Sequence, residues 1–324
     1  MKKLMMLVLV CMFLQTCNWK SEVALEATRG AIVVFNVGDN VIQKPDGTVT
    51  FITLGTEVKG GDTIKTNDRG KVDIQFMTGT SIRVAPSTVL TIDALIKQSE
   101  VRDHNYIRIT LPAGKLFANV NKINKKDEFK ILTPTTIAGV RGTSFIVDVD
   151  KGKTNVKVNS GSVGLAMLDK SSLENYDVIA TEGLEIKTVD KKYRLVKSTI
   201  NMEEEKELAT VISVLPNIAE KLIETSKNDG LELRKLELQI ESLQESKRKD
   251  FIRSRAENPK RFKSNKEIQN YYGRLEMIKL TDGGKYVGAI MLQKDEKMYV
   301  NSEHMIYEID MNKIEEVIYD YTIK

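Results

Sequence analysis

Apolar and polar residues alternate in short runs over about half of the chain, between residues 29 and 200. In residues 71–76, for example, Val72, Ile74 and Phe76 fall on one face and polar residues on the other, the pattern of a half-buried strand. Turn residues recur about every 8–12 positions, which is typical of the short strands of a sandwich, a barrel or a solenoid-like stack. The pattern therefore predicts a β-rich domain, built as a sandwich or as a solenoid-like stack.

The hydrophobic period changes to that of a helix after residue 200. Residues 201–256 are predicted to form a helical hairpin, with a first helix over 202–224 that Pro216 kinks or splits. The second helix spans 231 to about 255 and carries a narrow apolar seam at alternating spacings of three and four residues. The seam consists of Leu233, Leu236, Ile240 and Leu243. It either packs on the β-domain or pairs with the same seam of another chain.

Strand periodicity returns near the C-terminus. Residues 257–272 are predicted to be a basic linker, and residues 273–324 contain five short strands. An Asp-Gly pair at 282–283 predicts a hairpin turn, and Gly288 in the middle of a strand suggests a strong bend. This region resembles SH3-like and Sm-like small barrels, so a C-terminal small β-barrel is expected. The fold class is mainly β with a central helical segment.

The composition agrees with several folded domains. Apolar residues make up 41% and charged residues 29% of the 324 positions, which is ordinary for a globular protein, so overall disorder is not expected. Both cysteines, Cys11 and Cys17, precede residue 18, which excludes a disulfide framework in the folded body.

The N-terminus has the pattern of an export signal. Lys2 and Lys3 precede an apolar run over residues 4–14, which is too short to span a bilayer as a helix. A positive start followed by a short apolar segment is typical of secretory signals. The sequence therefore predicts export.

The residues that follow indicate a lipid anchor. Residues 14–17, Leu-Gln-Thr-Cys, resemble the bacterial lipoprotein processing site. The resemblance implies that residues 1–16 are a lipoprotein signal peptide, that Cys17 carries the lipid and that residues 17–28 are a tether. We therefore expect a protein anchored in the bacterial cell envelope, in the outer membrane, on its periplasmic or surface side. The alternatives are a buried cysteine and an uncleaved anchor.

Five motifs follow one another in the β-rich region. They are Gly-Asp-Thr-Ile-Lys-Thr at 61–66, Met-Thr-Gly-Thr-Ser-Ile-Arg-Val at 77–84, Leu-Pro-Ala-Gly-Lys-Leu at 111–116, Val-Arg-Gly-Thr-Ser-Phe at 140–145 and Val-Lys-Val-Asn-Ser-Gly-Ser-Val at 156–163. Their ordered series, over about residues 29–168, resembles the FecR-type domain. The resemblance implies that family's β-rich fold and a tendency to bind other proteins or glycans.

Family members that control iron uptake couple a transporter to a membrane-spanning anti-sigma segment. This sequence has no second apolar run of spanning length, so that signalling architecture is not expected.

Arg141 is the residue of the fourth motif whose side chain can form an ionic contact. It stands near two glycines, Gly139 and Gly142, and its guanidinium can pair bidentately with a carboxylate. One interpretation is an internal salt bridge or carbonyl clamp that locks the bend. The other is a contact with a ligand.

A strongly basic stretch follows the second predicted helix. Residues 247–266 hold nine Lys or Arg and two acidic residues, a net charge of +7. The candidate contact residues are Lys247, Arg248, Lys249, Arg253, Arg255, Lys260, Arg261 and Lys263. They form either a solvated helix end and linker or an electrostatic contact with a membrane surface or an acidic glycan. A nucleic acid partner is not expected, because an exported lipoprotein seldom meets one.

No catalytic or metal-binding pattern is present in the sequence. There is no Gly-x-Ser-x-Gly, no His-Glu-x-x-His and no phosphate-binding Gly-Lys-Ser loop, and His104 and His304 are expected to be surface residues. We therefore expect no enzyme activity, no cofactor and no metal.

The leading hypothesis is a non-enzymatic, lipid-anchored envelope protein whose FecR-type domain binds a protein or glycan. The alternatives are an oligomeric structural or assembly protein that uses the helical hairpin, a signalling module related to iron-transport regulators, and a hydrolase of envelope polymers.

Overall fold

The computed structural model describes residues 30–76, 78–96, 105–121, 127–140, 142–168, 177–189, 192–214, 221–222 and 230–322. Within these ranges lie strands β1–β22 and helices α1–α3. The predicted signal peptide and tether, with Cys17, lie outside the described residues, and so do Arg141 and His104.

Seventeen strands form two sheets. Sheet I has the spatial order β4 (Glu57–Val58), β1 (Ala31–Val37), β6 (Lys71–Phe76), β7 (Ser81–Val84), β9 (Tyr106–Asn119), β12 (Ser144–Asp150), β13 (Lys153–Ser160), β16 (Leu184–Val189) and β17 (Lys192–Lys197). Sheet II has the order β3 (Val49–Phe51), β2 (Val41–Gln43), β5 (Thr63–Lys65), β8 (Val89–Ile96), β9, β10 (Glu128–Leu132), β11 (Thr136–Val140), β14 (Ser162–Met167) and β15 (Val178–Thr181). Neighbours are antiparallel except β9 and β10, which run parallel.

The long strand β9 belongs to both sheets. Its first half pairs with β8 and β10 in sheet II, and its second half pairs with β7 and β12 in sheet I. Gly114, at the transition, has a φ of +101°, and a Cβ there would lie 2.3 Å from Thr88 Oγ1. Only glycine suits this left-handed, crowded position, which accounts for the glycine of the third motif.

The two sheets pack face to face around one apolar core. Alternate residues of each strand point inward, among them the fully buried Ile64, Ile74, Phe76, Ile109 and Phe145. The strands were predicted from a period of two, and in the structure this period corresponds to side chains that point alternately into the core and to the outer face. The β-rich prediction is confirmed, and the arrangement is a sandwich of open sheets.

Helices α1 (Met202–Thr210) and α2 (Gly230–Glu257) cover the outer face of sheet I. Helix α1 ends at Thr210, although a helix to residue 224 was predicted. Residues 211–214 are extended because their backbone bonds to side chains of β6: Ile212 N–H donates to Asp73 Oδ2 (2.7 Å) and Val214 N–H to Gln75 Oε1 (2.6 Å). These bonds replace the helical ones, while Pro216 lies outside the described residues.

The apolar seam of α2 packs on the β-domain. Leu236 and Ile240 are buried against Ile32 and Val34 of β1. Leu233 and Leu243 are partly buried against the same cluster. Of the two arrangements considered for the seam, the structure therefore has the intrachain one.

Part of the predicted basic linker is helical. Helix α3 (Asn265–Tyr272) lies within residues 257–272. Ser264 Oγ accepts from Glu267 N–H at its start, and Gly273, with φ +72°, ends it. The interpretation of 257–272 as a linker overlooked this Ser-x-x-Glu cap and the terminal glycine.

The C-terminal strands form a separate open sheet of order β21 (Ile306–Asp310), β20 (Lys297–Ser302), β19 (Lys285–Lys294), β18 (Glu276–Leu280) and β22 (Ile314–Ile318). All five strands contribute to one apolar cluster, which includes Ile278, Val300 and Ile309. However, β21 and β22 are the two edges and do not pair, so among the described residues there is no closed barrel. The closed barrel was a wrong expectation: a 3-10 turn, Met311–Lys313, carries the chain from one edge to the other.

Candidate functional site

A buried arginine joins sheet I to the helices. Arg83 of β7 lies directly opposite Asp73 of β6, and its side chain is 2% exposed. Its Nε donates to Asp73 Oδ1 and its Nη2 to Asp73 Oδ2, both at 2.7 Å. This bidentate pair matches the planar fork of a guanidinium to a carboxylate.

The same guanidinium also holds the C-terminal end of α1. Arg83 Nη1 donates to Glu207 Oε2 and to Thr210 Oγ1, each at 2.9 Å, and Nη2 donates to the Thr210 carbonyl at 2.8 Å. A cation at the carbonyl end of a helix is also favoured by the helix dipole. Every donor group of Arg83 has a partner, so this cluster is structural and leaves nothing for a ligand.

Arg83 and Glu207 stabilise each other's ionised form, whereas burial raises the pKa of Asp73. Burial alone would lower the pKa of Arg83, but the carboxylates of Asp73 and Glu207 hold it above its ordinary value. Burial likewise raises the pKa of Glu207, yet the hydrogen bond from Lys71 and the charge of Arg83 outweigh it and leave that pKa below its usual range. Both groups therefore stay ionised at neutral pH.

A second ionic cluster surrounds the start of α1. Asn201 caps the helix and Glu204 completes a capping box. The Glu204 carboxylate accepts from Lys157 (2.9 Å) and Lys115 (3.2 Å) on the outer face of sheet I. Burial raises the pKa of Glu204, but these lysines more than offset it, so the pKa lies below its ordinary value.

Glu205 ties α1 to the C-terminal part of the chain. Its carboxylate pairs with Arg255 of α2 (3.0 Å) and with Lys260, and it accepts from Tyr271 Oη of α3 (2.5 Å). Burial, together with the bond to Glu205, raises the pKa of Tyr271. Tyr272 of α3 is in turn bonded to Asn301 of β20 (3.1 Å).

The eight candidate residues of the basic stretch do not share one surface. Lys247 is half-buried and donates to the Val211 carbonyl (2.8 Å), and burial lowers its pKa. Arg255 and Lys260 pair with Glu205. Arg248 and Lys249 pair with Glu245 on the exposed face of α2. The remaining three are exposed: Arg253, Arg261 and Lys263.

A polar groove lies beside these clusters. Its volume is about 440 Å³, and it runs between β9, β12 and β13 of sheet I on one side and α1 and α2 on the other. Its polar lining includes Asn119, Ser144, Asn159, Lys247, Asp250 and Ser254. Sequence reasoning did not identify the groove, because it forms where a strand and a helix about ninety residues apart meet.

One side of the groove is fixed by internal bonds. Ser144 Oγ donates to Asn119 Oδ1 (2.7 Å), and Asn119 Nδ2 donates to the Leu208 carbonyl (3.0 Å). Asn159 lies on β13, beside that wall, and Asp250 and Ser254 lie across the groove on α2. The side chains of these three residues make no hydrogen bond or ion pair with any residue that the structure describes. The groove thus combines a rigid wall with unused polar groups.

Among the residues that the structure describes, no group of three or more His, Cys, Asp or Glu could hold a metal ion. Among the same residues, none of the helices combines the length and apolar character needed to cross a membrane. His304 lies in an exposed turn with φ +68°.

Comparison with solved structures finds limited similarity. Two crystal structures of a protein from Parabacteroides distasonis ATCC 8503, described as a "putative anti-sigma factor", are each 18% identical to this chain. Their TM-scores are 0.33 and 0.32. Each alignment covers 42% of this chain and 58% of the other, so the chain spans little more than half the length of these structures. No curated protein matches the chain.

The family comparison agrees with the motifs. The family model described as FecR protein matches residues 62–164, which run from the turn before β5 to β14. The match therefore includes strands of both sheets, the long strand β9 and Arg83. The FecR resemblance of the motifs is confirmed over residues 62–164.

Proposed function

We propose that this chain is a non-enzymatic, lipid-anchored protein of the bacterial cell envelope whose FecR-type β-domain binds a protein or glycan partner. The FecR match over residues 62–164 supports a domain of that family, and the lipoprotein-like residues 14–17 support the anchor. The observation that carries the binding function is the groove on sheet I, where Asn159, Asp250 and Ser254 offer polar groups that the fold leaves unused.

The anchor is tested by replacing its acceptor. Wild type should incorporate a labelled fatty acid and fractionate with membranes, whereas Cys17→Ala should lose the label and leave the membrane fraction. Cys11→Ala is the matched control, because Cys11 lies inside the apolar run and should leave labelling unchanged. Labelling and membrane retention that survive Cys17→Ala would refute the anchoring half of the proposal.

A second candidate is a signalling module related to iron-transport regulators, and the FecR match is the observation that favours it. Such a module would alter transcription when its gene is deleted, and the change would follow iron supply. RNA measurement in the deletion strain, with and without iron, separates the candidates. If the protein only binds an envelope partner, the deletion should cause no iron-dependent change in transcription.

A further inference from the structure

Three side chains of the groove, one on β13 and two on α2, offer hydrogen-bond donors and acceptors. Asn159 carries an amide that donates and accepts, Asp250 a carboxylate that accepts, and Ser254 a hydroxyl that does both. Arg255 also lines the groove, and its guanidinium is paired with Glu205. Asp250 and Ser254 are exposed and Asn159 is half-buried, so a polar ligand in the groove can reach all three side chains.

The charges of the groove cancel. Lys247 and Arg255 are positive, and Glu205 and Asp250 are negative. Glu205 is already paired with Arg255 and Lys260. A ligand of strong net charge therefore gains no net attraction here, and the groove favours a neutral one.

The size of the groove favours a small ligand over a protein surface. About 440 Å³ lies within the range of small-molecule sites. A stable protein interface instead covers a broad surface, roughly 800 Å² on each partner, and does not need an enclosed volume. The groove is walled by the strand residues Asn119 and Ser144, which are held by hydrogen bonds, and by the long helix α2, so little ordering would be needed on binding.

We propose that the groove between sheet I and α2 binds a short neutral glycan of the cell envelope. This inference rests on the proposed binding function and names its ligand class. Sugar hydroxyls donate and accept at once, which suits the mixed set formed by Asn159, Asp250 and Ser254.

Calorimetric titration of the full chain in detergent tests the inference. The probes are neutral trisaccharides of glucose and of N-acetylglucosamine, and a uronic acid trisaccharide serves as the charged comparison. At least one neutral probe should bind, and Asn159→Ala and Asp250→Asn should each weaken that binding by about tenfold, the loss expected for one hydrogen bond to a well-positioned group. Glu245→Gln, on the exposed face of the same helix, should bind as wild type does.

Three results would overturn the glycan inference. They are no binding of either neutral probe at about 10 mM, a range where weak recognition is still detected; stronger binding of the uronic acid probe; and neutral binding that neither Asn159→Ala nor Asp250→Asn weakens. Asn159→Ala keeps the test valid if Asp250→Asn does not fold, since the two residues lie on different elements. An envelope protein cross-linked to the groove, without glycan binding, would overturn the glycan class and leave the proposed binding function standing. The Cys17→Ala experiment tests the lipid anchor independently of glycan binding.

Discussion

Arg83 shows at the level of one side chain how the sandwich and the helices are joined. It is 2% exposed and bonds to Asp73 on the neighbouring strand and to Glu207 and Thr210 of α1. Breaking a buried ion pair by removing one partner leaves an uncompensated charge, which costs far more than the pair itself contributes. The residue is therefore a sensitive probe of the junction between sheet I and α1.

Arg83→Met should lower the free energy of unfolding by about 3–5 kcal/mol, because Asp73 would be left buried with one fewer partner. Arg248→Met, which removes an exposed arginine of α2, should change it by less than about 0.5 kcal/mol. Urea denaturation followed by circular dichroism measures both. Equal stabilities for the two variants would contradict the structural role of Arg83.

Glu207 should make stability depend on acid pH. Burial raises its pKa, but Lys71 and Arg83 hold it below the ordinary value of 4.5. A carboxyl whose pKa is depressed in the folded state contributes stability that is complete above its unfolded value and is lost as the pH falls through the folded value. The stability gap between wild type and Glu207→Gln should therefore be largest at neutral pH and shrink below about pH 4.5.

Urea denaturation of both chains between about pH 7 and pH 3 measures this gap. Glu203→Gln is the control, since Glu203 is largely exposed and its gap should be small throughout. A Glu207→Gln gap that stays constant to the lowest pH would show that Glu207 is not ionised in the way the structure implies.

The sequence predicted only in part which of these side chains are buried. Alternation in residues 71–76 marked Asp73 and Gln75 as the polar face of a half-buried strand, whereas Arg83 was named only as part of the second motif. That face was expected to meet water, but Asp73 and Gln75 are buried, and so is Arg83. A period of two separates the core face from the other face, yet it carries no information on what covers the other face. The partners on α1 lie more than 120 residues further along the chain.

At the level of elements, local signals fixed most boundaries and tertiary bonds fixed the rest. The five C-terminal strands and α2 were predicted from periodicity. Helix α1 stops early because Asp73 and Gln75 bond to residues 212 and 214, a competition that no helical pattern reveals. The capping residue and the terminal glycine of helix α3, in contrast, are visible in the sequence. The helix was missed because the high charge of residues 257–272 favoured a linker.

Leu236→Ala should lower the free energy of unfolding by about 2–5 kcal/mol, because Leu236 is 3% exposed in the cluster with β1. Leu238→Ala, two residues away and 52% exposed, should have little effect. Light scattering should find the same oligomeric state for both variants and wild type. A Leu236→Ala chain of unchanged stability but altered oligomeric state would instead assign the seam to an interface between chains.

At the level of the whole molecule, three layers and a further sheet are connected through side chains of α1. Arg83 attaches α1 to sheet I, Glu204 attaches it to Lys115 and Lys157, and Glu205 attaches it to α2 and α3. Helix α3 in turn packs on the C-terminal sheet. One short helix thus links the sandwich to α2 and, through α3, to the C-terminal sheet.

Glu205→Ala should loosen this connection, since it leaves Arg255, Lys260 and Tyr271 without their shared carboxylate. Amide hydrogen exchange should become faster in α3 and in the C-terminal sheet, while the core of the sandwich keeps its protection. Glu203→Ala, an exposed neighbour on the same helix, is the matched control. Faster exchange confined to α1 itself would contradict the role of Glu205 as the link.

Photo-cross-linking in cells shows whether an envelope partner binds in the groove. A photoreactive amino acid replaces Ser254, which lines the groove, or Lys249, which lies five residues earlier on the exposed face of α2. We expect cross-linked envelope material from position 254 and none from position 249. Cross-links of equal yield from both positions, or from position 249 alone, would contradict it.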